Sequence, residues 1–226
     1  MFDFLGDYDI LGAFWTTVQL AALSAVGSLV WGTILAGMRV SPVPIMRGFG
    51  TAYVNVVRNI PLTVIIFFCS IGLASTLAVN LAPQDSPTFI IDNSFRLAVL
   101  GFVAYTSTFV CESLRSGINT VPVGQAEAAR ALGLSFTQVL RIIVLPQAFR
   151  SVIAPLASVL IALIKNTTVA SIIGVAEASL LMAEMIENES DAIILVFSVF
   201  ALGFVLLTLP VGLLLGWVAK KVAVKR

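Results

Sequence analysis

The 226-residue chain contains no histidine. That removes imidazole acid–base chemistry, histidine metal ligation and Ser-His triads. Cysteine is nearly absent: Cys69 and Cys111 lie far apart in apolar sequence, form no metal or redox spacing, and read as buried structural residues. Charge is scarce as well, 11% of residues against about 25% in soluble domains. The net charge of +1 gives no basic footprint for nucleic acid. No Gly-x-x-x-x-Gly-Lys-Ser/Thr motif occurs, so the P-loop route to ATP hydrolysis is closed to this chain. With no histidine and no paired aspartates in an apolar stretch, an intramembrane enzyme is disfavoured too.

What fills the sequence instead is long apolar runs. Residues 10–38, 59–84 and 192–219 contain no Asp, Glu, Lys or Arg. Each exceeds the roughly 20 residues that a helix needs to cross a bilayer core. The first run does not read as a cleavable signal, because its leader is acidic (Asp3, Asp7, Asp9) and the run is too long. Two less clean spans complete a set of five, expected at about 11–38, 53–79, 94–116, 148–175 and 192–219. The expectation is a single all-α integral membrane domain over 1–226.

Charge orients these spans. The first tail and segments 80–93 and 177–191 are acidic, whereas the loop with Arg39 and Arg47, the loop with Arg115, Arg130, Arg141 and Arg150, and the Lys220–Arg226 tail are basic. The positive-inside rule then sets the N-terminus outside, the C-terminus in the cytoplasm and the 117–147 loop in the cytoplasm. Five helices rarely enclose a pathway alone, so a dimer with an identical or related chain is expected. Gly27, Gly32 and Gly37 provide small residues for close helix contact.

The cytoplasmic loop carries its own local structure. Pro122 suits the first turn of a helix running to Leu132. Gly133 fits the left-handed position after it. Ser135 then caps a second helix, with Gln138 completing a capping box and Leu134 and Val139 a hydrophobic staple. That helix presents Phe136, Val139, Leu140 and Ile143 at helical spacing, and Pro146 ends it or bends it into the next span. Two readings stand: a hairpin packed on its own membrane domain, or a docking element for a soluble partner.

Glu127, Ala128, Ala129, three residues, Gly133, nine residues, then Ile143, Leu145 and Pro146 resembles the EAA loop of ATP-binding-cassette importer permeases, of the type I architecture. The likeness extends to Tyr53–Val64, Tyr105–Ile118 and Leu163–Thr168. These segments look like the polar amino-acid permease group (histidine, glutamine, glutamate), and most like its actinobacterial glutamate-uptake members. The resemblance implies several things. The chain is not an enzyme, and Ser135–Ile143 is the coupling helix that docks on separate ATPase subunits. Those subunits use ATP and Mg, and no cofactor is bound here. An extracytoplasmic binding protein delivers the amino acid to a permease in a bacterial plasma membrane. The rival is an ion-coupled secondary transporter or channel subunit, which needs no such loop.

Polar residues in the spans remain to be placed. An ionisable group there is costly and usually faces a cavity, a partner or the interface. Lys165 either snorkels to the outer interface or lines the pathway with Asn166, Thr167 and Thr168. Many members of the group carry Asp after this Lys, and Asn166 removes that negative charge, which suits an anionic substrate. Tyr105 and Thr108 share a helix face and either bridge helices or line the pathway. Glu112 and Arg115 form a structural i, i+3 pair or a gate contact. Arg58 begins span two as an interface anchor or closes an inner gate. The acidic segment 177–191 is a solvated loop or part of the surface that meets the binding protein.

Overall fold

The structure is a computed structural model that describes residues 3–222. Among these residues every regular element is helical, with no strand. Backbone polar groups in lipid have no water to bond, which leaves the helix as the economical solution for a chain this apolar.

Asp9 caps the first long helix, α1 (Ile10–Val40), by accepting from the Gly12 amide at 2.9 Å. Then follow α2 (Pro44–Asn59), α3 (Leu62–Phe67, continued as a π-helical stretch to Thr76), α4 (Phe89–Asn119), and α5 (Val123–Ala131). Next are α6 (Phe136–Gln138, continued as a π-helical stretch Val139–Val144) and α7 (Leu145–Asn166, continued as a 3-10 stretch Thr167–Ile173). The last are α8 (Ala178–Asn188) and α9 (Ile193–Val222).

Four helices are long and apolar enough to cross a membrane: α1, α4, α7 with its 3-10 extension, and α9. The second expected span is different. It is not one straight helix over 53–79 but a pair, α2 and α3, bent by 105°. The cause is local. Pro61 excludes helical geometry at the residue before it, and Ile60 is extended at φ −86°, ψ 132°. Pro61 itself caps α3, and Arg58 lies in the last turn of α2, not at the start of a span. The residues from Pro44 onward, expected as loop, are helix because Pro44 opens α2 at a position where its missing N–H costs little.

Helices α1, α2, α3 and α7 pack on α4. Leu97, Ala98, Phe102, Val110 and Cys111 on α4 are buried, against Leu20 and Leu35 of α1, Ile66 of α3, Val54 of α2 and Leu163 of α7. Between apolar helices in lipid, fit and not water exclusion drives contact. Gly32 shows the fit: a Cβ there would stand 2.6 Å from the Val110 Cβ and 2.8 Å from the Ser107 carbonyl oxygen. Ser24 and Ser28, both fully buried, continue that small-residue stripe up α1. Gly37 meets nothing and takes no part in this contact. Much of α9 faces outward, with Ile194, Leu206 and Leu213 exposed, and Lys221 lies over the Trp217 ring at 4.4 Å near its basic end.

At the acidic end, segment 177–191 is more ordered than a solvated loop. Glu177 is fully buried and caps α8, accepting from the Ser179 and Leu180 amides at 2.9 and 3.0 Å. The Thr17 hydroxyl of α1 accepts from the Ala178 amide at 3.1 Å, which fastens α8 to α1.

Candidate functional site

Three groupings carry the polar chemistry. The first is the hairpin formed by α5 and α6. Gly133 has φ +88°, a region where L-side chains are strained. Its amide donates to the Arg130 carbonyl at 2.9 Å, and the Leu134 amide donates to the Ala129 carbonyl at 3.2 Å. This is the Schellman pairing that ends a helix on a left-handed glycine. The capping box follows: the Ser135 amide donates to the Gln138 side chain at 2.8 Å, and the Gln138 amide to the Ser135 hydroxyl at 3.4 Å. A small core of Val121, Ala129, Val139 and Val144 holds the two helices together, flanked by Leu134, Leu140 and Ile143. The Gln147 side chain donates to that of Gln125 at 2.7 Å and ties α7 back to α5.

With that core satisfied internally, the rest of the hairpin faces outward. Glu127, Ala128, Gly133, Ser135, Phe136, Leu145 and Pro146 are exposed. So are two large apolar side chains the motif leaves unfixed, Leu132 at 83% and Ile142 at 58%. Ala129, Val139, Leu140 and Ile143 are turned inward and shape the hairpin from within. Pro146 does not end the second helix: the π-helical stretch runs on into α7, whose first turn holds the proline.

The second grouping is a cavity of about 310 Å³ between α4 and α7, lined by Tyr105, Thr106, Phe109, Ser158, Ala162 and Asn166 among others. Of the six expected pathway residues, the fold brings Tyr105 and Asn166 together here. Thr108 and Thr167 are fully buried elsewhere, and their hydroxyls donate to carbonyls on their own helices, those of Tyr105 and Ile164, both at 2.7 Å. Thr168 does the same with the Lys165 carbonyl at 2.8 Å. Lys165 is exposed and outside this cavity. Thr106 and Ser158 are additions; only helical spacing from Asn166 through Ala162 to Ser158 could have hinted at the latter.

The third grouping centres on Glu112 of α4. Arg39 of α1 donates to its Oε1 at 2.5 Å. Arg58 of α2 lies 3.8 Å from the same oxygen, and Arg115 lies 3.8 Å from Oε2. The i, i+3 pair expected with Arg115 is present, but Arg39 is the close partner. At the opposite end, Asp9, Thr16 and Glu184 line a cavity of about 440 Å³ between α1 and α8. Beside it, burial pushes the Glu177 carboxyl up to about 7, opposed by the two amides it caps and by Thr17. Among the described residues no group of three or more His, Cys, Asp or Glu could hold a metal ion.

Comparison with known proteins agrees with this architecture. Residues 28–224 match the family described as binding-protein-dependent transport system inner membrane component. The chain is 61% identical over 217 residues to a glutamate transport system permease protein, GluC, of Corynebacterium efficiens, covering 96% of this chain and 95% of that one. It is 58% identical over 217 residues to the same-named protein of Corynebacterium glutamicum, with equal coverage. It is 32% identical over 213 residues to a probable glutamine ABC transporter permease, GlnM, of Bacillus subtilis, covering 93% and 92%. Among solved structures, an amino acid ABC transporter crystallised with histidines superposes with a TM-score of 0.80 at 24% identity, covering 94% of this chain and 93% of that one. The inward-facing methionine transporter MetNI superposes at 0.73 and 16%, covering 95% and 96%. At those identities the likeness shows the fold. On the sequence match, this chain belongs to the binding-protein-dependent transport system inner membrane component family.

Proposed function

We propose that this chain is the membrane-spanning permease subunit of an ATP-binding-cassette importer for polar amino acids, with glutamate as its substrate. The 61% identity to a glutamate transport permease over nearly the whole length supports the substrate. The observation that carries the mechanism is the hairpin. It is locked by its own caps and core, yet it presents Leu132, Phe136 and Ile142 outward. Such a rigid element with an apolar tip suits insertion into a groove on an ATPase subunit, whose closure on ATP it passes to α7 through the continuous helix at Val144–Leu145.

The permease then works by alternating access. The hairpin end lies in the cytoplasm by the positive-inside rule, with the C-terminus on the same side and the N-terminus outside. An extracytoplasmic binding protein delivers the amino acid at the acidic end. A second permease subunit, identical or homologous, completes the pathway around the α4–α7 cavity. Tyr105, Thr106, Ser158 and Asn166 offer that cavity hydroxyl and amide groups for a zwitterion. Lys165, one position from Asn166, supplies a positive charge for a carboxylate once the helices rearrange. ATP hydrolysis sits in the partner, and this chain converts the partner's motion into access.

The test is uptake into proteoliposomes that contain the permease and ATPase subunits, with the binding protein outside. Glutamate uptake is expected to need enclosed ATP and the binding protein and to ignore ionophores. Uptake that follows an ion gradient and is indifferent to ATP refutes the proposal.

A further inference from the structure

The Glu112 cluster carries more positive charge than it needs. Three guanidinium groups from three helices meet one carboxylate. Arg39 satisfies Glu112: its guanidinium is nearly enclosed, with 7% of the side chain exposed, and it bonds at 2.5 Å. Arg58 and Arg115 are different. Each stands 3.8 Å from a Glu112 oxygen, beyond hydrogen-bond distance, and their side chains are 42% and 44% exposed. Among the described residues neither donates a hydrogen bond to any acceptor. Two forked donors therefore stand at one carboxylate without a hydrogen bond to it, partly exposed and with a net excess of positive charge.

Their position matters. Tyr105, Phe109 and Glu112 follow at i, i+4 and i+7 and so lie on one stripe of α4. The first two line the α4–α7 cavity, and the Tyr105 and Phe109 rings meet at 5.0 Å. Glu112 lies about 10 Å from Tyr105 and about 4.5 Å from Phe109 along that stripe, toward the hairpin end. The stripe runs from the cavity to the carboxylate that gathers Arg58 and Arg115.

We propose that Arg58 and Arg115, gathered by Glu112 and relieved of neutralising it by Arg39, form a carboxylate-binding station at the inner end of the pathway. Its ligand is an acidic amino acid leaving the cavity, taken by a carboxylate in the forked geometry that guanidinium favours. The inference rests on the importer reading above.

The experiment uses the complete transporter in proteoliposomes with ATP and rising glutamate inside and binding protein with labelled glutamate outside. In the wild type, luminal glutamate occupies the station and slows uptake. Arg58→Gln and Arg115→Gln should each raise the inhibiting luminal concentration about tenfold, the loss expected for one charge-assisted bond. Lys at either position, which keeps the charge without the fork, should restore part of the inhibition. In the wild type itself, raising luminal KCl from about 50 to about 300 mM should weaken the inhibition by screening.

Inhibition that is unaffected by both Gln variants, or that is indifferent to salt in the wild type if the variants fail to assemble, overturns the station. So does an effect present in anionic-lipid vesicles and missing in neutral ones, which assigns the arginines to headgroups. Absence of wild-type glutamate uptake strikes the importer reading instead, and the two failures are distinguishable.

Discussion

Gly133→Val tests the rigid hairpin most directly. Gly133 holds φ +88°, and a Cβ built on it meets nothing within 4 Å. The cost of a side chain is therefore conformational and not a clash. Left-handed geometry costs an L-residue roughly 1–2 kcal/mol, and β-branching puts valine at the upper end or beyond. The chain relieves this strain by leaving φ > 0, which breaks the two bonds that close the turn, Gly133 to Arg130 and Leu134 to Ala129. Phe136 and Leu132 then lose their fixed relation.

If the strain is drawn from docking, about 2 kcal/mol weakens ATPase association roughly 30-fold. Gly133→Asn, which tolerates the left-handed region, should lose much less. The assay is titration of purified ATPase subunit onto permease in proteoliposomes, read as binding-protein-stimulated ATP hydrolysis and as uptake, with insertion checked by the yield of folded permease. Wild-type apparent affinity and uptake in Gly133→Val would refute the view that this turn positions a docking element.

Other perturbations follow from the same geometry. Ser135→Ala removes one half of the capping box and should cost about 1 kcal/mol of hairpin order, read as faster amide exchange over 136–144 with the spans unaffected. Lys165→Met should lower glutamate uptake while leaving assembly and basal ATPase activity intact, and unchanged rate and apparent affinity for glutamate would remove Lys165 from the pathway. The Glu177 carboxyl titrates near 7 in the fold against 4.5 ordinarily. The folded state therefore holds its proton more tightly than the unfolded chain does. The stabilisation is fully present below about pH 4.5 and is lost as pH rises through 7, at most about 3 kcal/mol. The thermal midpoint of the purified protein should fall over that window, and Glu177→Gln should flatten the fall.

Much of this protein is written in short-range sequence. Charge-free runs longer than a bilayer core is thick settle that it is a membrane helix protein, because lipid permits few alternatives. The hairpin is equally local. Gly133, Ser135 and Gln138 lie within one short stretch of chain, so caps read from the sequence reappear as bonds at 2.8–3.4 Å. Pro61 even marks where span two breaks, because it holds Ile60 out of the helix.

The tertiary structure decided what depends on distant partners. Nothing near Glu112 in sequence announces Arg39, 73 residues away. Nothing near Glu177 announces Thr17, whose hydroxyl meets the neighbouring Ala178 amide across 161 positions. The same limit governs the cavity. Thr106 and Thr108 look alike in sequence, but only the placement of α7 turns the first toward the cavity and leaves the second to bond its own helix. Periodicity tells which residues share a face. Which face meets a cavity is set by packing, and packing is a property of the whole chain.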